Sequence, residues 1–201
     1  MGVIAWYPNF LDVEASGFGA ESWPISVAWC EHTGEIRRYL INPSSVPEWT
    51  HWDPAAEKLH GLDRERLARN GWSPADVTAR IDDALRGGLA FSDAPDFDTT
   101  WLQRLYAAAG RPMPFRIESA DDLLVGAIFH PGEALWQAQA RLDRMKNELH
   151  TTCGGRHDAG YDVGFLVVLW RQAMGEPARM NHGIGPVPEI TGTGSFLRRE
   201  Q

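Results

Sequence analysis

Asp12 and Glu14 are two carboxylates separated by one residue, in a segment (8–17) whose pattern predicts a half-buried β-strand. Strand side chains alternate between faces, so both carboxylates point one way while Leu11 and Val13 point into the core. Two like charges this close repel, and a hard divalent cation between them relieves the repulsion. Since the chain holds 14 Asp and 13 Glu among 201 residues, chance alone produces about one Asp-x-Glu pair. The pair indicates a metal site only if further ligands accompany it.

Two later segments offer such ligands. Asp98 follows a short buried strand predicted at 89–91 and is expected to start a helix, where an acid either caps the helix or faces a site. His157 precedes Asp162 by five residues across the start of a late helix. Residues five apart in one helix do not share a face, so both reach one site only if His157 lies on the preceding loop. Taken alone, this histidine can equally be structural or solvated.

The pattern around these residues predicts the elements that position them. Two further strands are expected at 25–29 and 35–41, joined by a hairpin turn at 32–34. Between 111 and 132 the pattern indicates only a strand near 115–117 and a helical turn at 120–125. The predicted helices span 54–59, 73–86, 99–109, 133–149 and 159–174. On the helix at 133–149, the predicted inward face consists of Leu135, Ala138, Leu142, Met145 and Leu149.

An antiparallel three-stranded start followed by alternating helices and short strands predicts an α/β domain with a mixed β-sheet flanked by helices. The length of 201 residues suits one domain with a sizeable core. We expect this domain over 1–175, followed by a Gly- and Pro-containing tail over 176–201.

In this order, the acids and the His-x-Ala-x-x-Asp pattern resemble the DEDDh-type 3'-5' exonucleases of the RNase H-like superfamily, which include proofreading exonucleases and oligoribonucleases. The stretch Glu14-Ala15-Ser16-Gly17-Phe18 is similar to the family's Glu-Thr-Thr-Gly-Leu, and Leu59-His60-Gly61-Leu62 is similar to its His-Gly-Ile turn ahead of a helix. The resemblance covers residues 8–110 and 153–172. A sister class carries Tyr four residues before the last Asp, where this chain has Asp158, so the histidine type is favoured.

The middle acid departs from the family pattern. Relatives commonly carry His-Asn ahead of it, whereas this chain has Ser92 and Asp93, with Asp96 as another nearby acid. The preceding Phe97 and the following Trp-Leu make Asp98 the best match. Whether Asp93 or Asp96 shares its metal role stays open.

The resemblance implies an RNase H-like fold and a site that releases nucleoside 5'-monophosphates from the 3' end of single-stranded nucleic acid. Its implied ligands for two Mg²⁺ or Mn²⁺ ions are Asp12, Glu14, Asp98 and Asp162. His157 is the implied base that deprotonates the attacking water. The implied substrate contacts are Ser16, Gly17, Phe18, His60 and Asp93. Phe18 could equally be a core residue, and His60 a plain loop histidine.

The charge balance indicates which kind of nucleic acid the protein is expected to bind. A net charge of −8 argues against a broad electrostatic grip on duplex nucleic acid, so single-stranded ends are expected, with RNA slightly favoured. Among nine tryptophans, Trp23, Trp49 and Trp52 lie in loop-like contexts suited to stacking on bases. The alternatives are a catalytically inactive nucleotide or nucleic-acid binding module on the same fold, and a structural domain with chance acids. Retention of all five implied catalytic residues argues against the binding module.

Composition also suggests a location. Cys30 and Cys153 have a spacing that indicates neither a disulfide framework nor a zinc site. The longest apolar run, 163–170, is far shorter than the roughly 20 residues of a membrane-spanning helix. No Lys or Arg precedes Arg37, so a secretory leader is not expected. We therefore expect a cytoplasmic protein with no membrane partner, as a monomer or a homodimer.

Overall fold

The computed structural model describes residues 6–85, 88–153, 157–175 and 189–192. Within them, the strands are β1 (Leu11–Ala15), β2 (Pro24–Cys30), β3 (Ile36–Leu40), β4 (Leu89–Ser92) and β5 (Arg116–Ser119). The α-helices of the same described residues are α1 (Pro54–His60), α2 (Arg64–Asn70), α3 (Pro74–Leu85), α4 (Pro95–Ala108), α5 (Ala120–Ile128), α6 (Leu135–Cys153) and α7 (Ala159–Ala173).

The sheet is mixed. Strands β1, β2 and β3 are antiparallel neighbours in that order, while β4 and β5 form a parallel pair. A parallel bridge between Phe10 and Phe91 places β4 beside the start of β1. The predicted α/β architecture with an antiparallel three-stranded start is confirmed.

Both faces of the antiparallel strands are covered, so β2 is buried along its whole length. On one face Leu11 and Val13 pack with residues of α3 and α4. On the other face Ala28 packs with residues of α7, among them Val163. Because side chains alternate along β1, Asp12 and Glu14 lie on the face that α7 covers.

The hairpin between β2 and β3 turns at His32-Thr33-Gly34, as predicted. Gly34 adopts φ 88°, a left-handed conformation that side chains disfavour, and its amide donates to the carbonyl of Glu31 at 2.8 Å. This short connection sets the register of β3, in which Arg38 lies opposite Ala28.

Three helix details differ from the sequence prediction. Helix α4 begins at Pro95 and not near residue 99, because proline is well suited to a first helical turn. Asp98 therefore lies inside the first turn, and Ala94 occupies the N-cap without a side-chain cap. Helix α2 was not among the predicted helices; Asp63 caps it through the amide of Arg66 at 2.7 Å. Leu135, predicted to face inward, is 67% exposed because it is the first residue of α6.

Most of the predicted tail, 176–201, lies outside the described residues. Its described part, 189–192, runs beside β3: the amide of Ile190 donates to the carbonyl of Arg38 at 3.1 Å. The indole of Trp72 donates to the carbonyl of Ile190 at 2.8 Å. Across the described parts of the chain, we find no helix with the length and apolar character needed to cross a membrane.

Candidate metal centre

Three carboxylates converge where β1 meets the start of α7. Asp12, Glu14 and Asp162 each offer an oxygen, and these three oxygens lie within 4.8 Å of one another. Asp12 and Glu14 face α7 through strand alternation, and Asp162 lies in the first turn of that helix. Carboxylate oxygens bind hard divalent cations at about 2.0–2.6 Å, so oxygens at this separation can share one ion. The donor set fits a hard cation such as Mg²⁺ or Mn²⁺.

Asp158 organises the turn that carries Asp162. Its Oδ1 accepts from the amides of Gly160 and Tyr161 at 3.1 and 3.2 Å, which caps α7. Its own amide donates to Oδ2 of Asp162 at 3.3 Å. The N-cap residue therefore helps to orient the candidate ligand four residues later.

Asp98 is a fourth carboxylate beside the cluster and is only 1% exposed. It accepts hydrogen bonds from the hydroxyl of Ser92 and from the backbone amide of Val13, the residue between Asp12 and Glu14. Asp98 thus does not cap α4; its carboxylate is held against β1. Asp98 is not one of the three residues whose oxygens lie within 4.8 Å of one another. It is therefore a neighbour of the cluster and not a member of it.

The two other acids of this segment differ from Asp98 in burial. Asp93 and Asp96 are both exposed. The negative charge of Asp93 nevertheless acts on the cluster, because it contributes to raising the pKa values of Asp12, Asp98 and Asp162. Asp96 lies on the outer side of the first turn of α4, where its carbonyl accepts from the Thr100 hydroxyl at 2.9 Å.

The cluster holds protons more tightly than isolated carboxyls do. Burial, followed by the charge of Asp98, raises the pKa of Asp12 well above its ordinary value. Burial, followed by the charge of Asp158, raises the pKa of Glu14 to about 7. Burial, followed by the charge of Glu14, raises the pKa of Asp162 to about 8. Such mutual repulsion is relieved by protons or by a cation, and a divalent ion relieves it at neutral pH.

One buried cation, Arg38 on β3, was missed by the sequence prediction. In the sheet register Asp12 lies opposite Ala28, which lies opposite Arg38. The Nη1 of Arg38 donates to Oδ2 of Asp158 at 2.7 Å, and the positive charge lowers the pKa of Glu14 against the other effects. Arg37 and Arg38 are consecutive on a strand, so one of them must point to each face. That alternation was the available signal.

His157 lies on the loop directly before α7, where the five-residue spacing requires it to be. Its side chain is exposed. It is not one of the three clustered residues, but it immediately precedes Asp158, whose side chain caps the helix. The structure therefore places His157 one residue before the N-cap of α7 and does not bring its imidazole into the carboxylate cluster.

The chain bends at Ser16, the residue after β1, and continues into Gly17; these two residues are the turn after β1. The Ser16 hydroxyl accepts from the amide of Trp23 at 3.1 Å, and the Ser16 carbonyl accepts from the amide of Asp53 at 2.8 Å. A Cβ on Gly17 would lie 2.5 Å from Cε1 of His51. The backbone here is thus held between two loops, and a side chain at position 17 would require His51 to shift.

Phe18 is 62% exposed, which excludes the alternative that it is a core residue. A second exposed ring, Phe97, precedes Asp98 and stacks on Trp101 with centroids 5.7 Å apart. The Trp101 indole donates to the hydroxyl of Ser22 at 2.9 Å, which ties the loop after Phe18 to α4. Aromatic surface is therefore available beside two of the carboxylate-bearing elements.

His60 ends α1 and is not brought into the carboxylate cluster. Its Nδ1 accepts from the amide of Leu62 at 3.1 Å, so its Nε2 carries the proton of the neutral ring. Burial lowers its pKa, and the charge of Glu57 opposes that shift.

The tryptophans expected in loops serve mainly as support. Trp23 and Trp49 are buried and stack on each other with centroids 5.2 Å apart. The guanidinium carbon of Arg64 lies 5.5 Å from the ring centroids of both Trp23 and Trp52. Base stacking by Trp23 and Trp49 is excluded by their burial. Trp23 instead hydrogen-bonds to Ser16 through its backbone and stacks on Trp49.

Comparison with known proteins defines the fold. No protein-family model matches the sequence, and no curated protein matches it. The architecture is RNase H-like, as predicted, and is similar to that of exonuclease I. For E. coli exonuclease I with single-stranded DNA and zinc, the TM-score is 0.59 at 16% identity, over 87% of this chain and 42% of that chain.

Two further structures give the same result. For E. coli exonuclease I with a dA16 oligonucleotide, the TM-score is 0.58 at 17% identity, over 83% of this chain and 41% of that chain. For a moderately thermophilic exonuclease I from Methylocaldum szegediense, it is 0.58 at 16% identity, over 86% and 41%. The chain spans about two fifths of the length of these structures.

Proposed function

We propose that this protein is a metal-dependent 3'-5' exonuclease of the DEDDh type that shortens single-stranded nucleic acid. The observation that carries the proposal is the convergence of Asp12, Glu14 and Asp162 on a fold shared with exonuclease I. In the two-metal arrangement Asp98 is the fourth ligand, and its position against β1 supports this role.

The proposed reaction breaks the bond between phosphorus and the 3'-oxygen of the penultimate nucleotide. Water attacks the phosphorus, His157 accepts the proton of that water, and the departing 3'-oxygen takes a proton from solvent. Divalent cations held by Asp12, Glu14, Asp98 and Asp162 would supply charge stabilisation to the reacting phosphate oxygens. The exposed position of His157 at the start of α7 suits a group that must return its proton to solvent after each turnover.

The proposed substrate contacts lie around the turn after Glu14. The backbone at Ser16 and Gly17 is proposed to contact the terminal nucleotide, while the missing side chain at position 17 leaves room for the His51 ring on the protein side. The exposed ring of Phe18 stacks on its base. Asp93 is proposed as an outer contact to the sugar or phosphate, whereas the Nε2 of His60 is buried and has no direct route to a substrate in this arrangement.

Single-stranded DNA is the first substrate to test. The exonuclease I structures described above include complexes with single-stranded DNA, which favours DNA by analogy of fold. The net charge of −8 disfavours a duplex but does not separate a DNA strand from an RNA strand. An inactive binding module is not favoured, because clustered carboxylates repel a polyanion unless cations are bound.

The test uses 5'-labelled DNA and RNA oligonucleotides with free or blocked 3' ends, incubated with Mg²⁺, Mn²⁺ or EDTA. The proposal predicts that strands with free 3' ends give a ladder of shorter labelled products. This ladder should be absent in EDTA and with Asp12→Asn. Binding of the strand without any shortening, in both metals, would contradict it. The ratio of DNA to RNA rates then decides the preferred sugar.

A further inference from the structure

Arg38 and Asp158 form a buried ion pair between β3 and the N-cap of α7. The Nη1 to Oδ2 distance is 2.7 Å, and Arg38 is only 7% exposed. The Nε of Arg38 also lies 3.5 Å from the hydroxyl of Ser26, on the neighbouring strand. Its carbonyl accepts from the amide of Ile190, so the backbone of Arg38 is held from both sides.

We propose that Arg38 is a positioning residue for the nuclease reaction: through Asp158 it fixes the start of α7, and with it His157 and Asp162. This inference rests on the proposed function, since it assigns those two residues their roles. Asp158 is the mechanical link. One carboxylate oxygen caps the helix, the other binds Arg38, and its amide donates to Asp162.

The charge on Asp158 interacts favourably with the N-terminus of α7, but it also lies beside other carboxylates. Asn or Ser would cap the helix about as well without adding a negative charge beside Glu14. Asp158 instead adds repulsion to a site that already holds several carboxylates. An acid at this position is useful if the pair with Arg38 is needed, because a charged hydrogen bond between rigid elements restricts geometry more than a neutral cap does.

Arg38 is too deeply buried to bind the substrate phosphate directly. A phosphate-binding arginine acts on affinity, whereas a residue that aligns the base and a metal ligand acts on the chemical step. Loss of a phosphate-binding arginine would therefore raise KM, whereas loss of a positioning arginine would lower kcat.

The experiment compares Arg38→Met, Arg38→Lys, Asp158→Asn and the double variant Arg38→Met/Asp158→Asn with the wild type on 5'-labelled single-stranded DNA in Mn²⁺. We expect kcat to fall about 10- to 100-fold in Arg38→Met and Asp158→Asn, with KM nearly unchanged, and to be partly retained in Arg38→Lys. The double variant should be no slower than the slower single variant, because both changes remove one interaction. Amide hydrogen exchange at 158–162 should quicken in the same variants.

Arg37→Met is the matched control. Arg37 is the adjacent residue on the other face of β3, where it pairs with Glu31 and Glu35. Its loss should leave both kcat and the exchange at 158–162 unchanged.

Wild-type kcat with unchanged exchange in Arg38→Met would overturn the inference, as would a raised KM at constant kcat. If Arg38→Met does not fold, Arg38→Lys and Asp158→Asn carry the test by the same criteria. A wild-type protein that cleaves nothing would contradict the proposed function instead. Amide exchange would then still decide whether Arg38 fixes the start of α7, with unchanged exchange as the contradicting result.

Discussion

At the scale of single residues, protons and the proposed metal ions would compete for the same oxygens. Glu14 and Asp162 have pKa values raised by burial and by neighbouring acids, to about 7 and about 8. At acidic pH the folded site is therefore relieved by protons, and at neutral pH it needs a cation. Metal affinity should rise with pH for the same reason, because the ion displaces those protons.

This competition predicts how stability depends on pH without metal. The folded pKa values of Glu14 and Asp162 exceed their ordinary values of 4.5 and 3.8, so proton binding favours the folded state. That stabilisation is complete below about pH 4 and is lost as pH rises through 7 and 8. In EDTA, the melting temperature should fall between pH 5 and pH 8.5, and Mn²⁺ should restore it at the alkaline end.

Asp162→Asn is the control for this profile, because it removes one raised pKa and should flatten the fall in EDTA. Thermal unfolding followed by circular dichroism measures the wild type and Asp162→Asn, each in EDTA and in Mn²⁺, across this pH range. A melting temperature in EDTA that stays constant or rises across this range would contradict the account of the cluster.

The middle ligand is a second question at the residue scale. Asp98 is buried against β1, while Asp96 is exposed two residues earlier in the same helical turn. Asp98→Asn should lower kcat by about 100-fold or more, whereas Asp96→Asn should remain within about twofold of the wild type. Single-turnover cleavage in saturating Mn²⁺ measures both. Equal losses in the two variants would show that Asp98 has no privileged role.

At the scale of elements, alternation and turn chemistry carried most of the prediction. The faces of β1 and the hairpin at 32–34 follow from period-two patterning and a glycine suited to the turn. The start of α4 did not follow, because Pro95 was assigned to a loop although proline fits a first turn. Arg38 was missed because nothing local distinguishes it from Arg37; only the packing of α7 shows which face is buried.

The turn after β1 gives a prediction at this scale. Gly17→Ala would place a Cβ 2.5 Å from the ring of His51 and 3.1 Å from Cβ of Asp53, so the His51 ring and the segment that carries it must shift. We expect a loss of about 1–3 kcal/mol in the free energy of unfolding. Cleavage should also weaken, because Ser16 and Phe18 move with the turn.

Gly19→Ala is the matched control, since a Cβ there meets no atom within 4 Å. Urea unfolding and initial cleavage rates should distinguish the two variants. If Gly17→Ala is as stable and as active as Gly19→Ala, the turn is not held as tightly as its contacts indicate.

At the scale of the whole molecule, folding brings together residues that are far apart in sequence. Motif order identified Asp12, Glu14, Asp98 and Asp162 as candidates, but their meeting depends on β4 lying beside β1 and on α7 covering the opposite face from α4. Spacing along the chain cannot supply such contacts. The fold shared with exonuclease I is consistent with this convergence, over about two fifths of that enzyme's length.

The central claim is that a cation held by this cluster acts on the scissile phosphate. The most direct test is cleavage of single-stranded DNA whose last linkage carries one phosphorothioate diastereomer. Mg²⁺ prefers oxygen ligands, whereas Mn²⁺ tolerates sulfur better. One diastereomer should be cleaved about tenfold or more slowly in Mg²⁺, a loss of about 1.4 kcal/mol in transition-state stabilisation. Mn²⁺ should restore the cleavage rate of that diastereomer. Asp12→Asn should cleave neither diastereomer. Equal cleavage of both diastereomers and the unmodified strand in both metals, or full activity of Asp12→Asn, would contradict the claim.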